Sequence, residues 1–163
     1  MTRAPVTAFI GLGANLGDAV ARVQQAVQAL TEWPGTRGCV ASRLYRSAPV
    51  DAAGPDFINA VVRLDTTLTA PALLQALQAI EAAAGRQRPY RNAPRTLDLD
   101  LLRYGDARID SPQLVVPHPR FHQRAFVLRP LSEVAPRLVT AAMLQAVADQ
   151  SCVPLDEAPE QEP

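Results

Sequence analysis

Leu97-Asp98-Leu99-Asp100-Leu101 limits what this chain can fold into more than any other stretch of it. Apolar and charged residues alternate with a period of two, which suits a half-buried β-strand and which no helix sorts onto separate faces. In extended backbone the three leucines face a core and the two aspartates face the other way. Both carboxylates then stand on one face, roughly 6.5 to 7 Å apart along the strand. Such a strand needs hydrogen-bonded neighbours and a layer to cover its leucines, so the chain must build a sheet.

The neighbours are legible. Val6 to Leu12 is a short apolar run bounded by Gly11 and Gly13 and reads as a buried strand. Asp18 can cap a helix with Val20, Val23, Val27 and Leu30 on one face, stopped by Trp33-Pro34-Gly35. Cys39 to Ser47 reads as a second strand and Phe57 to Leu64 as a third, joined as an antiparallel pair by the loop Ala48 to Asp56. Thr69 and Pro71 open a second helix lined by Leu73, Leu74, Leu77 and Ile80, and Gly85 closes it. Beyond the aspartate strand, Gly105 and Asp106 turn the chain into a short returning strand, Ala107 to Asp110. Helices are expected near Phe121 to Leu128 and over residues 140–149.

Strand, helix, two strands, helix, strand is the order of a ferredoxin-like α+β fold. The expectation is one domain with an antiparallel-rich sheet flanked by helices, the helices lying on one face. Residues 1–149 form that domain, and residues 150–163 are expected to be an acidic, disordered tail. The length of 163 residues suits a single core.

All sixteen positive side chains are arginines, balanced by sixteen acids. Without lysine the chain cannot form a Walker-type phosphate loop or a Schiff base in their usual form. Anions must be held by arginine forks, backbone N–H groups or metal ions. Zero net charge argues against a nucleic-acid coat, and no apolar run is long enough to span a bilayer. The opening residues show no secretory leader, and Cys39 and Cys152 form no metal-ligand cluster, so a cytoplasmic protein with free thiols is expected. The balance is uneven along the chain: residues 86–129 hold nine arginines and four aspartates, whereas residues 149–163 hold five acids and no base.

Gly11-Leu12-Gly13-Ala14-Asn15-Leu16-Gly17 misses the dinucleotide-binding spacing by one residue and reads as a tight strand-to-helix turn. Asp98 and Asp100 carry more. Paired carboxylates on a strand can bind Mg²⁺ whose other ligands are phosphate oxygens and water, or they can form a solvated acidic face. Arg86, Arg88, Arg91 and Arg95 precede them without an intervening acid, and arginine forks grip phosphate oxygens beside such metals. His118, Arg120, His122 and Arg124 form a second basic group. Asn59 is a polar amide in an apolar strand and requires partners there. A small RNA-binding module would show an aromatic ribonucleoprotein motif on a central strand, and none is present.

Pro94-Arg95-Thr96-Leu97-Asp98-Leu99-Asp100 resembles the signature of the 6-hydroxymethyl-7,8-dihydropterin pyrophosphokinases of folate biosynthesis. Gly11 to Asp18, Leu44-Tyr45-Arg46-Ser47, Phe57-Ile58-Asn59-Ala60 and Val116-Pro117-His118-Pro119 extend the resemblance in order over roughly residues 8–136. It implies a ferredoxin-like monomer that moves pyrophosphate from ATP to the pterin hydroxymethyl group with two Mg²⁺ ions and releases AMP. It implies that Asp98 and Asp100 bind both metals, and that Gln78, Glu81, Arg88, Arg95, His118 and Arg124 contact ATP. Arg86 falls at a catalytic-loop arginine, and Arg95 joins it and the aspartates as a catalytic residue. Ser47 and Val50 would meet the pterin through backbone groups, Asn59 would read its edge, and Phe57 and Phe126 would sandwich the ring. Three positions depart from the family pattern. Asn92 replaces a frequent loop aromatic, Gln113 a frequent arginine and Phe57 a frequent tyrosine.

Overall fold

A computed structural model describes residues 4–15, 17–48, 55–85 and 97–155. Strand β1, Val6–Ala14, runs through the middle of the sheet. Helix α1, Ala19–Glu32, follows, and the Asp18 carboxylate accepts a hydrogen bond from Ala21 N at its start. The second expected strand is two strands, β2 (Thr36–Ala41) and β3 (Tyr45–Ser47), both antiparallel to β4 (Phe57–Thr66). Ser42 divides them. Its N–H donates to Val61 O and its hydroxyl accepts from Val61 N, so a side chain replaces one rung of the backbone ladder.

Helix α2, Ala70–Gly85, begins at Thr69, whose hydroxyl accepts from Ala72 N. Strand β5, Asp98–Tyr104, then pairs antiparallel with β1, with a register shift between Phe9 and Ile10. Short strands β6 (Ile109–Asp110) and β7 (Val115–Val116) form a hairpin, followed by a 3₁₀ turn at Phe121–Gln123 and helix α3, Ala125–Val134. Helix α4, Ala141–Ala146, precedes strand β8, Cys152–Pro154. The main sheet has the order β5-β1-β4-β3-β8, with β2 also on β4.

The sheet is covered on both faces, which corrects the expected one-sided arrangement. Ile10, Leu12, Val62, Leu64, Leu99 and Leu101 pack with Val23, Leu30, Leu73 and Leu77 of α1 and α2. On the other face Phe9, Val61, Leu102 and Tyr45 pack with Val127, Leu128 and Leu131 of α3. Val61 and Leu64 are both fully buried because β4 has a dry layer on either side.

Two further expectations change. The helix expected at Phe121 to Leu128 starts with the 3₁₀ turn and continues as α3 to Val134. The segment expected as tail enters the sheet: β8 pairs with β3, Cys152 is buried opposite Ser47, and Arg129 Nη1 donates to Cys152 O at 2.7 Å. The folded unit therefore extends past residue 149. Its last strand fills the open side of β3, a long-range pairing that local composition does not encode.

Candidate functional site

Gly11 and Gly13 lie inside β1 and not in the turn that follows it, and of the motif's three glycines only Gly17 takes a positive φ, of 62°. This corrects the turn reading of the motif and gives the glycines another purpose. On the α3 face of the sheet, Gly13 stands opposite Asn59 on one side and Asp98 on the other. Gly11 stands between Val61 and Asp100 in the same way. Side chains of directly opposed residues share a face, so Asp98 and Asp100 look across a strip without side chains toward Asn59. Two strand spacings, roughly 9 to 10 Å, separate the carboxylate strand from the amide strand.

That strip is the floor of a cleft of about 690 Å³. Ser47, Phe57, Asn59, Asp98, Asp100, Arg124 and Phe126, seven of the residues singled out from the sequence, line it together. The volume is that of a site for a small molecule. Each wall has its own chemistry: carboxylates on β5, an amide and an aromatic ring on β4, and arginine with phenylalanine at the start of α3.

Asn59 is buried and its orientation is set. Ser47 Oγ donates to Asn59 Oδ1 at 2.6 Å, which leaves Nδ2 on the Gly13 side. A planar ligand lying on the glycine floor would meet that amide edge-on. Arg124 and Phe126 form a second fixed pair, with the guanidinium carbon 5.5 Å from the ring centroid.

Helix α3 is held against β3 from its far end. The Glu133 carboxylate accepts from Tyr45 Oη, from Arg43 N at 2.9 Å and from Arg43 Nε at 3.0 Å. Arg43 and Arg129 also flank the Tyr45 ring at 5.8 and 5.7 Å. Burial and the adjoining carboxylate push the Tyr45 phenol up to about 12. Burial acts to raise the Glu133 carboxyl, but the hydrogen bonds from Tyr45 and Arg43 outweigh it and hold it below the usual range.

His118 stands beside the cleft, with its backbone N–H donating to Leu102 O at 2.8 Å. Its Nδ1 accepts from Arg120 N at 3.1 Å, so the neutral ring carries its proton on Nε2, a donor. Burial lowers its pKa; the Asp100 charge opposes that, while Arg124 and Arg120 add to it. Glu81 does not line the cleft. Its Oε2 accepts from Leu99 N at 2.7 Å and so braces β5 between the two aspartates. Gln78 is exposed on the preceding turn of α2, and Gln113 is exposed between β6 and β7. Arg86, Arg88, Arg95, Val50 and Asn92 lie outside the described residues.

Arg120, Gln123 and Gln150 also line the cleft. The basic group around His118 pointed to Arg120, whereas nothing in the sequence marked the two glutamines. Among the described residues no three His, Cys, Asp or Glu side chains gather as a metal cluster. Two carboxylates facing open cleft space fit Mg²⁺, which keeps most of its coordination for phosphate and water. No described helix is long and apolar enough to cross a membrane.

The family described as 7,8-dihydro-6-hydroxymethylpterin-pyrophosphokinase matches residues 9–136. The chain belongs to this family. Three relatives carry the name 2-amino-4-hydroxy-6-hydroxymethyldihydropteridine pyrophosphokinase. The Methylorubrum extorquens protein is 45% identical over 85% of this chain and 86% of its own. The Pseudomonas aeruginosa protein is 47% identical over 80% and 81%. The Bacillus subtilis protein is 39% identical over 90% and 87%. A solved structure of Plasmodium falciparum HPPK-DHPS shares the fold with a TM-score of 0.65 at 15% identity, over 82% of this chain and 42% of that one. All three relatives' alignments with this pyrophosphokinase-family chain cover most of both partners.

Proposed function

We propose that this chain transfers the pyrophosphoryl group of ATP to the hydroxymethyl oxygen of 6-hydroxymethyl-7,8-dihydropterin in folate biosynthesis, releasing AMP and the pterin diphosphate. The observation that carries this reading, beside family membership, is the row Asn59–Gly13–Asp98 across the sheet. It offers a flat heterocycle an amide at one end and phosphates a carboxylate pair at the other.

In the proposed complex Phe57 and Phe126 bracket the pterin ring. Asn59 donates from Nδ2 and accepts at Oδ1 along its polar edge, held in that orientation by the Ser47 hydroxyl. Backbone groups of Ser47 and Val50 complete the edge. Asp98 and Asp100 hold two Mg²⁺ ions, which when bound neutralise triphosphate charge and polarise the reacting oxygens. Arg124 and the Nε2–H of neutral His118 bind phosphate oxygens, with Gln78, Glu81, Arg88 and Arg95 as the remaining ATP contacts. Arg86 and Arg95 stabilise charge that develops on the departing AMP oxygen. The hydroxymethyl oxygen attacks the β-phosphorus in line, the α–β bridging bond breaks toward AMP, and the hydroxyl proton is lost to solvent.

The ferredoxin-like label suits β1, α1, β2/β3, β4, α2 and β5, with α3 added on the second face. We further propose a monomer in the cytoplasm, a compartment consistent with the free thiols of Cys39 and Cys152. The pyrophosphokinase domain runs through Leu155, whose N–H donates to Leu44 O at 2.9 Å.

The test is Mg²⁺-ATP with the hydroxymethyl-dihydropterin, scored for AMP. Wild-type protein should release AMP in step with pterin diphosphate. Asp98→Ala and Asp100→Ala should each lose at least about a hundredfold in rate while keeping the thermal transition. Near-normal AMP release by either variant refutes the paired-carboxylate assignment.

A further inference from the structure

Helix α3 delivers Arg124 and Phe126 to the cleft from its first turn, yet that turn is poorly supported by its own sequence. Arg124 occupies the cap position and makes no side-chain cap hydrogen bond. Pro130 within the helix has no N–H to give the carbonyl of Phe126 four residues earlier. The N–H groups that open a helix need acceptors from elsewhere.

The acceptor comes from the far end of the fold. Gln150 Oε1 accepts from Ala125 N at 2.9 Å, while Gln150 Nε2 donates to Gln123 O at 3.0 Å. One side-chain amide thus spans the junction between the 3₁₀ turn and α3, clipping the residues on either side of Arg124. Gln150 also lines the cleft, two residues before the strand that pairs with β3 beside Ser47. It lies beyond the residues 9–136 matched by the family, so family membership gives it no role.

We propose that Gln150 is a positioning residue for substrate binding: it fixes the first turn of α3 and thereby the cleft-facing placement of Arg124 and Phe126. Because the guanidinium stacks on the ring, the two side chains shift together when the turn loosens. The cost of losing the clip therefore falls on both substrates, and on binding more than on the chemical step. This inference rests on the proposed pyrophosphokinase activity.

The experiment compares the full chain with Gln150→Ala and Gln150→Glu. In Gln150→Ala, hydrogen exchange at the Ala125 amide should rise about tenfold, and KM for both the pterin and Mg²⁺-ATP should rise about tenfold, the scale of one or two lost hydrogen bonds. The value of kcat should stay within about twofold, and Tm within about 4 °C. Gln150→Glu keeps an acceptor for Ala125 N and places negative charge at a helix start, but cannot donate to Gln123 O, so its KM values should fall between the two. If Gln150→Ala does not fold, Gln150→Met, which keeps the side-chain length, carries the same measurements.

Faster exchange at Ala125 with unchanged KM overturns the proposal by making the clip merely structural. Unchanged exchange overturns it by removing the clip. Wild-type protein that releases no AMP overturns the activity reading and this inference with it, a result separate from either of the others.

Discussion

Gly13→Ala adds a single carbon to the floor of the cleft, and its consequences divide between stability and binding. The new Cβ would lie 3.1 Å from Asn59 Nδ2 and 4.0 Å from Ile58 O. Gly13 has no positive φ, so alanine suits the backbone, and the smaller loss of chain entropy favours it by about 0.5 to 1 kcal/mol in a strand. Against that, the Asn59 amide must yield by a few tenths of an ångström while Ser47 Oγ holds its other end at 2.6 Å. These contributions oppose each other, so stability should change by less than about 1 kcal/mol and Tm by about 2 to 4 °C or less.

Binding has no such compensation. A displaced amide loses its alignment with one or two groups of the pterin edge, worth about 1 to 1.5 kcal/mol each, so KM for the pterin should rise roughly ten- to hundredfold. KM for Mg²⁺-ATP should change by less than about threefold, because the carboxylates lie on the other side of the strip. Gly11→Ala is the control. The nearest atoms to its Cβ would be those of the Leu102 side chain at 3.5 to 3.7 Å, an ordinary contact, so Asn59 should stay in place. Steady-state AMP release with each substrate varied, together with thermal melts, reads all of these quantities. A Gly13→Ala protein with wild-type pterin KM, or one indistinguishable from Gly11→Ala, refutes the floor argument.

Phe126→Ala should weaken pterin binding roughly tenfold more than nucleotide binding, since it removes one stacking surface; equal losses measured by calorimetry would contradict the sandwich. Cys152 should resist iodoacetamide while half-buried Cys39 reacts, because burial pushes the Cys152 thiol up to about 11 and at pH 8 leaves about one thiolate in a thousand. Peptide mapping that finds Cys152 labelled as fast as Cys39 would show that β8 is not docked. The same thiol sets a pH dependence. The unfolded chain loses its proton near the ordinary value of 9.0 and the folded chain keeps it to about 11, so stability should be fully present below that window and fall as pH rises through it. A melting temperature that Cys152→Ser leaves equally alkali-sensitive would refute that assignment.

What the sequence disclosed was local. Asp18 and Thr69 were readable as caps because a cap is satisfied within three residues, and Leu97 to Leu101 because alternation is itself the strand signal. The break between β2 and β3 was not, since Ser42 becomes a divider only once Val61 lies opposite it. Gly11 and Gly13 suggested a turn because glycine usually marks one. Their role depends on Asn59 and Asp98, 46 and 85 residues from Gly13 along the chain. The α3 layer, β8 and the Gln150 clip are all long-range, and polar glutamine in a charged C-terminal stretch carries no pattern that local reasoning detects. The carboxylate pair and the amide were found because each is unusual where it stands, whereas the two aromatic rings are unremarkable beside strands, and only the resemblance brought them into the site.

The outer strands of the sheet bear on how this molecule behaves in a crowded solution. A sheet edge with a regular row of free backbone groups invites strands from other molecules. Here β8 is three residues long and ends in Pro154, which has no N–H to offer. Strand β2 is interrupted between Arg37 and Val40, with Gly38 at a φ of 56°. Along β5, Leu99 N–H is taken by Glu81 and Leu102 O by the His118 backbone. An incoming strand therefore meets a short, a kinked or an occupied border, which protects a chain that is 48% hydrophobic from assembling through its sheet. Glu81 is also one of the proposed ATP contacts, so replacing it to probe that role also unlocks a border strand, and any activity lost must be separated from material lost to aggregation.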